Sequence, residues 1–120
     1  MEQYKLGEME QRFAELIWEN EPISSRGLTE LCEKEFGWKR TTTYTMLKRL
    51  CDRGIFQNEH SIVTSLMSQN EFKGAQGEHF IHEVFHGSLP QFLTAFTRRK
   101  KLSKKEVEEI QRLIDEYKEE

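Results

Sequence analysis

Between Trp38 and Gly54 the chain reads WKRTTTYTMLKRLCDRG, a stretch that accepts one local structure and limits what can surround it. Placed on a helix of 100° per residue, Thr43, Leu47, Leu50 and Cys51 share one narrow sector, and Gly54 stands where the helix should stop. The opposite sector collects Thr41, Thr42, Thr45, Lys48, Arg49 and Asp52, with Tyr44 and Arg53 at its edges and Lys39 and Arg40 at the N-terminal end. The apolar sector predicts a short helix lying on a small core. The polar sector has the chemistry of a helix that enters a DNA major groove. Threonine is short, its hydroxyl can meet several base edges, and its methyl can touch a thymine methyl. Flanking lysines and arginines reach phosphates. Any amphipathic surface helix also turns polar residues outward, so the neighbouring segments have to decide.

Upstream, Leu6 to Asn20 reads as a helix with Met9, Phe13, Leu16 and Ile17 on one face, Trp18 at its border, and Glu8, Glu10, Glu15 and Glu19 outward. Gly7, three residues before Glu10, is a weak N-cap, and Asn20, Glu21 and Pro22 end the helix. A second helix is expected to start at Ser24, with Ile23 and Leu28 as a hydrophobic staple, and to close at Phe36-Gly37. Its buried side is Leu28, Leu31, Cys32 and Phe36. The joint to the Trp38–Gly54 helix is brief, as in a helix-turn-helix.

Downstream the period changes. Ile55 and Phe56, a polar turn at Asn58 to Ser61, and then Ile62 to Leu66 predict two short strands joined by a tight loop, the wing of a winged helix. Its tip offers Asn58, Glu59, His60 and Ser61 and no Lys or Arg, so it adds little phosphate affinity.

Three helical segments follow. Ser68 and Glu71 form a capping box for a helix running to about Phe85, with interior Gly74 and Gly77 each costing about 1 kcal/mol relative to Ala unless packing supports them. Ser88 caps the next, with Pro90 in its first turn, and the basic run Arg98 to Lys101 follows it. Ser103 and Glu106 open the last, with Leu102 and Val107 as staple and Val107, Ile110, Leu113, Ile114 and Tyr117 as its stripe. Segments this short cannot bury their apolar faces alone. The expectation is a dimerisation region using Phe80, Phe85, Phe92, Leu93, Phe96, Val107, Ile110, Ile114 and Tyr117, the alternative being that they fold back on the winged helix.

Composition narrows the function classes. A net charge of −3 gives no global basic signal, yet the Trp38–Gly54 stretch sets Lys39, Arg40, Lys48, Arg49 and Arg53 against Asp52 alone. Cys32 and Cys51 lie far apart in apolar stripes, as free core thiols do in a reducing cytoplasm. No apolar run approaches 18 residues and no signal peptide opens the sequence, which predicts a cytoplasmic protein without membrane insertion. No Gly-rich phosphate loop or nucleophile pair supports an enzyme or a cofactor. His79, His82 and His86, spaced i, i+3, i+7, would share a helix face and could ligate a metal in a metal-responsive regulator, although surface histidines are usually only solvated. A protein-docking winged helix is the other competing reading.

Several stretches together resemble the penicillinase repressor and methicillin-resistance repressor family of bacterial transcription regulators. LGEMEQRFAELIW is similar to the family's first helix, GWKRTTTYTMLKRLCDRGIF to its recognition helix and exit, and FHGSLPQFLTAF with KKLSKKEVEEIQRLID to its C-terminal region. Trp38, Thr42, Thr45, Leu47, Arg49, Leu50 and Gly54 match its pattern position for position. The resemblance implies a mainly α fold: a winged helix-turn-helix DNA-binding domain at 1–67 with a two- or three-stranded wing, then a helical dimerisation domain at 68–120. It implies a homodimeric repressor on a palindromic double-stranded operator, controlling antibiotic-resistance or stress genes. A membrane metalloprotease sensor system would relieve repression by cleavage in the dimerisation region, at Ala95-Phe96 by that pattern, where the resistance repressors carry Asn before the Phe. The wing QNEHSIVTSLM is shorter than the family's and lacks its Gly-Arg and Tyr residues, and the ending DEYKEE is unlike the cysteine-rich end of the copper-responsive branch.

Overall fold

The structure, a computed structural model, describes residues 5–118. Its elements are α1 (Glu8–Asn20), β1 (Ile23–Ser24), α2 (Ser25–Phe36), α3 (Arg40–Asp52), β2 (Phe56–Glu59), β3 (Ile62–Ser65), α4 (Gln69–Phe85), α5 (Leu89–Arg99) and α6 (Lys104–Lys118). They form two compact units, Met1–His79 and Phe80–Glu120, with α4 running from one into the other. The fold class is the mainly α winged helix-turn-helix with a C-terminal helical region that the sequence predicts.

In the first unit the core draws on every element around α3. Phe13, Ala14 and Ile17 come from α1, Leu28 and Cys32 from α2, Leu47 and Leu50 from α3, and Ile55, Phe56, Val63 and Phe72 from the segments after it. Each fully buried side chain of the larger kind contributes about 1.5–3 kcal/mol relative to exposure, which is how short helices become stable here. Met9, expected on the buried stripe of α1, is exposed; Ala14, further along the helix, takes a buried place instead.

Local chemistry sets the ends of the helices. The Ser24 hydroxyl accepts from the Gly27 N–H at 2.9 Å and starts α2. Gly37, at φ 68° in the left-handed region that favours glycine, ends it. Trp38 then lies 5.5 Å from Phe13 and 4.8 Å from Phe36, ring to ring, which anchors the joint between α2 and α3. Gly54, at φ 79°, turns the chain out of α3 toward the wing.

The wing is a three-stranded antiparallel sheet in the order β1-β3-β2. Its third strand, Ile23–Ser24, overlaps the staple and N-cap of α2, which are the signals the sequence shows there, and neither announces a strand. Glu59 pairs with Ile62, so His60 and Ser61 form a two-residue loop, and their φ values of 52° and 65° match a type I′ turn. The Ser61 carbonyl accepts from the Ser25 N–H at 2.8 Å, tying the loop to α2. Glu21 braces the other end, its carboxylate accepting from the Ser65 N–H at 2.7 Å and the Ser65 hydroxyl at 2.8 Å.

The first turn of α4 belongs to this same core. Ser68 and Glu71 exchange hydrogen bonds of 3.0 Å in a capping box, and the Ser68 N–H, with its hydroxyl, holds the Glu71 carboxyl below the ordinary carboxylate range. Phe72 is fully buried, 5.5 Å from the Trp18 ring, and the Trp18 indole N–H donates to the Met67 carbonyl at 3.0 Å.

The second unit is built differently. Phe80, Phe85 and Phe92 meet edge to face at 5.5–6.2 Å, and Phe96 lies 5.7 Å from Phe92. Ser88 caps α5 by accepting from the Gln91 N–H at 3.1 Å, and Ser103 with Glu106 caps α6. Yet neither α5 nor α6 contains a buried residue. In the part of α4 that belongs to the first unit, a Cβ added at Gly74 or Gly77 would meet no neighbouring side chain or segment within 4 Å, so no close packing offsets the helical cost of these glycines. Among the described residues no helix is long and apolar enough to cross a membrane.

Candidate nucleic-acid interface

The outward face of α3 carries Thr41, Thr42, Tyr44, Thr45 and Lys48, all exposed, while Thr43, Leu47 and Leu50 on the inner face are buried. Lys39 is the N-cap and Arg40 the first helical residue, and no side chain caps the free N–H groups of this end. Cations at a helix N-terminus oppose the macrodipole, so these two do not serve the stability of α3. With the uncapped N–H groups they make a concentrated positive end, suited to an anion.

Hydrogen bonds define what the face can offer. The Thr45 hydroxyl donates to the Thr41 carbonyl at 2.9 Å, which commits its proton and leaves the oxygen lone pairs and the methyl free. Such a group accepts from an amino group of a base edge. Lys48 pairs with Asp52 at 3.1 Å, an exposed i, i+4 contact contributing about 0.3–0.5 kcal/mol and easily exchanged for a phosphate.

Arg49 and Arg53 behave differently. Glu10 of α1, expected to face outward, turns instead toward α3, and its side chain is only 15% exposed. Its Oε2 lies 3.7 Å from Arg49 Nη1 and 3.6 Å from Arg53 Nη2. Its Oε1 accepts from the Gly7 N–H at 3.0 Å. Arg53 also donates to the Lys5 carbonyl at 3.2 Å. The capping-box spacing of Gly7 and Glu10 is visible in the sequence, but nothing local could pair Glu10 with arginines so far downstream.

At the wing tip Asn58, Glu59, His60 and Ser61 are exposed, and Glu59 is the one carboxylate among them. Both cysteines are free. Burial pushes the Cys32 thiol up, partly offset by the Thr43 hydroxyl; burial and then Asp52 push up Cys51, with Lys48 opposing. Raised thiols of this kind are poor nucleophiles.

Of the three histidines, His79 and His82 lie within α4 and His86 does not. α4 ends at Phe85, and His86 follows at φ 50° in the left-handed region, off the helical path that His79 and His82 share. Among the described residues no group of three or more His, Cys, Asp or Glu side chains is arranged to hold a metal ion.

Of the residues expected at a dimer contact, Phe80, Phe96, Val107, Ile114 and Tyr117 are exposed. Phe85, Phe92, Leu93 and Ile110 are half-buried. Ala95 and Phe96 lie inside α5, where Ala95 lines a shallow groove of about 350 Å³ with Phe85, Pro90, Gln91, Thr94 and Arg98.

The family model described as penicillinase repressor matches residues 6–116. The methicillin resistance regulatory protein MecI of Mammaliicoccus sciuri is 22% identical over 116 residues, covering 93% of this chain and 94% of that protein. The penicillinase repressor of Bacillus licheniformis is 22% identical over 119 residues, covering 95% and 92%.

Proposed function

The chain belongs to the penicillinase repressor family, whose members are DNA-binding transcriptional regulators and not enzymes, and from that premise we propose that it is a homodimeric repressor of a palindromic operator. The division of labour proposed is DNA binding by 1–67 and self-association by 68–120. The observation that carries the reading is the outward face of α3, with short hydroxyls in its middle and cations around them. Thr41, Thr42, Tyr44 and Thr45 approach base edges, while Lys39, Arg40, Lys48 and Arg49 secure phosphates. By its place in the sequence pattern Arg53 would join this phosphate set.

A second copy supports both tasks. Two α3 helices about 34–36 Å apart read successive major grooves, which is why the operator should be palindromic. The exposed apolar faces of α5 and α6 favour self-association, since water would otherwise cover them. The bound dimer blocks polymerase sterically. Cutting at Ala95-Phe96 by a membrane metalloprotease sensor system would sever α5 and release DNA, because each half-dimer keeps only half of the phosphate contacts. A helix interior must first unwind to enter a protease, so cleavage there depends on the weak packing of α5.

The test is a gel shift with the protein's own upstream DNA and nonspecific competitor at two salt concentrations. A competitor-resistant shift at two chains per site that weakens steeply with salt is the expected result. Lys48→Ala should weaken binding to all sequences, whereas Thr45→Ala should change discrimination at one position of each half-site. Absence of a shift at low salt would sink the reading and favour a protein-docking role.

A further inference from the structure

Arg49 of α3 and Arg53, the residue that caps its C-terminus, share one carboxylate of α1, and the geometry bears on how strongly the helix holds DNA. The distances of 3.7 and 3.6 Å from Glu10 Oε2 to Arg49 and Arg53 are too long for directional hydrogen bonds, so the attraction is Coulombic. The two cations are not equivalent. Arg53 is 27% exposed and held as well by the Lys5 carbonyl, whereas Arg49 is 51% exposed.

Withdrawing a cation from a largely buried carboxylate leaves an uncompensated charge, which is strongly unfavourable. With two cations present, one can depart and the other keeps Glu10 neutralised. We propose that Arg53 and Glu10 are positioning residues for DNA binding: Arg53 stays on Glu10 so that Arg49 is free to move onto a phosphate. This rests on the DNA-binding reading above. It removes Arg53 from the set that touches DNA and makes Glu10 the residue that sets how readily Arg49 is released. An ion pair serving stability alone would show no dependence of DNA binding on which arginine remains.

The experiment is a set of salt titrations of binding to the protein's own operator duplex by fluorescence anisotropy. The variants are Arg49→Ala, Arg53→Ala, Glu10→Gln, Arg53→Lys and the doubles of Glu10→Gln with each alanine substitution. Glutamine keeps an oxygen for the Gly7 N–H, and thermal unfolding of each variant establishes that it is folded. Arg53→Ala should flatten the log–log salt slope by about 1 per subunit, as loss of one phosphate contact does, although Arg53 touches no DNA. Glu10→Gln should restore the slope in the Arg53→Ala background, because Arg49 is then no longer retained. It should not restore it in the Arg49→Ala background. Arg53→Lys should keep the wild-type slope. An unchanged slope in folded Arg53→Ala, or equal rescue of both alanine variants, overturns the proposal and leaves the DNA-binding reading standing. A wild-type protein with no salt-sensitive DNA binding overturns both.

Discussion

The two units of this chain solve the same problem of burying short amphipathic helices in opposite ways. In the first, α1, α2 and α3 close around Phe13, Ile17, Leu28 and Leu50, all fully buried, with the wing and the start of α4 completing the core. In the second, α5 and α6 bury no residue, and Leu113 and Tyr117 are 67% and 78% exposed. Helices of this length are marginal in water without tertiary packing. The first unit therefore holds within itself the burial its helices need, whereas the second leaves the apolar faces of α5 and α6 largely exposed; under the proposed function a second copy would cover them.

Core truncation should show the contrast most strongly. Phe13→Ala is expected to cost about 3–5 kcal/mol in urea unfolding of the first unit, against little change for Leu113→Ala in the unfolding of a dilute monomer. Similar costs for the two would mean the second unit has a core of its own. Next in size, Leu113→Asp should weaken self-association by roughly tenfold or more, read by sedimentation at several concentrations, with the α3 face untouched. A protein that is monomeric before the substitution would remove the proposed role of these helices.

A smaller effect concerns the part of α4 that lies in the first unit, where Gly74 and Gly77 sit inside the helix. Gly74→Ala and Gly77→Ala should each stabilise the helix by about 1 kcal/mol, since no atom lies near the added methyl. If instead the thermal midpoint of the associated protein falls, another chain passes close to those glycines. Smallest is the pH response of the two capping boxes, one in each unit. The Glu71 and Glu106 carboxyls are held below their ordinary range by the N–H and hydroxyl of Ser68 and Ser103. A depressed folded pKa means the stabilisation is complete above the unfolded value and is lost as pH falls through the folded one. Acid titration of Glu71→Gln and Glu106→Gln by circular dichroism should show a slightly flatter loss of helix at low pH than the unsubstituted chain.

Much of the local structure is legible in the sequence. The stripe of Thr43, Leu47 and Leu50, the caps at Ser24, Ser68, Ser88 and Ser103, and the stop at Gly37 are written in residues close to one another in the chain. Differences arise where a residue's partner lies elsewhere. Glu10 reads as a solvated glutamate, and its burial between Gly7 and two arginines needs α1 laid against α3. Trp18 reads as a border residue, and its bond to Met67 joins positions 49 apart. His86 reads as co-facial with His79 and His82 because spacing alone presumes that the helix continues, and the chain turns left-handed there instead.

By itself, the sequence determined the helices, their ends, and which face of α3 is polar, because periodicity and capping act over three or four residues and need nothing beyond them. Tertiary structure alone decided that Ile23–Ser24 joins the wing as a third strand and that Phe72 closes the first core. It alone decided, too, that Glu10 meets Arg49 and Arg53. Those outcomes depend on bringing distant segments together, and a carboxylate's environment is set by whichever charges the packing delivers to it, not by its neighbours in the chain.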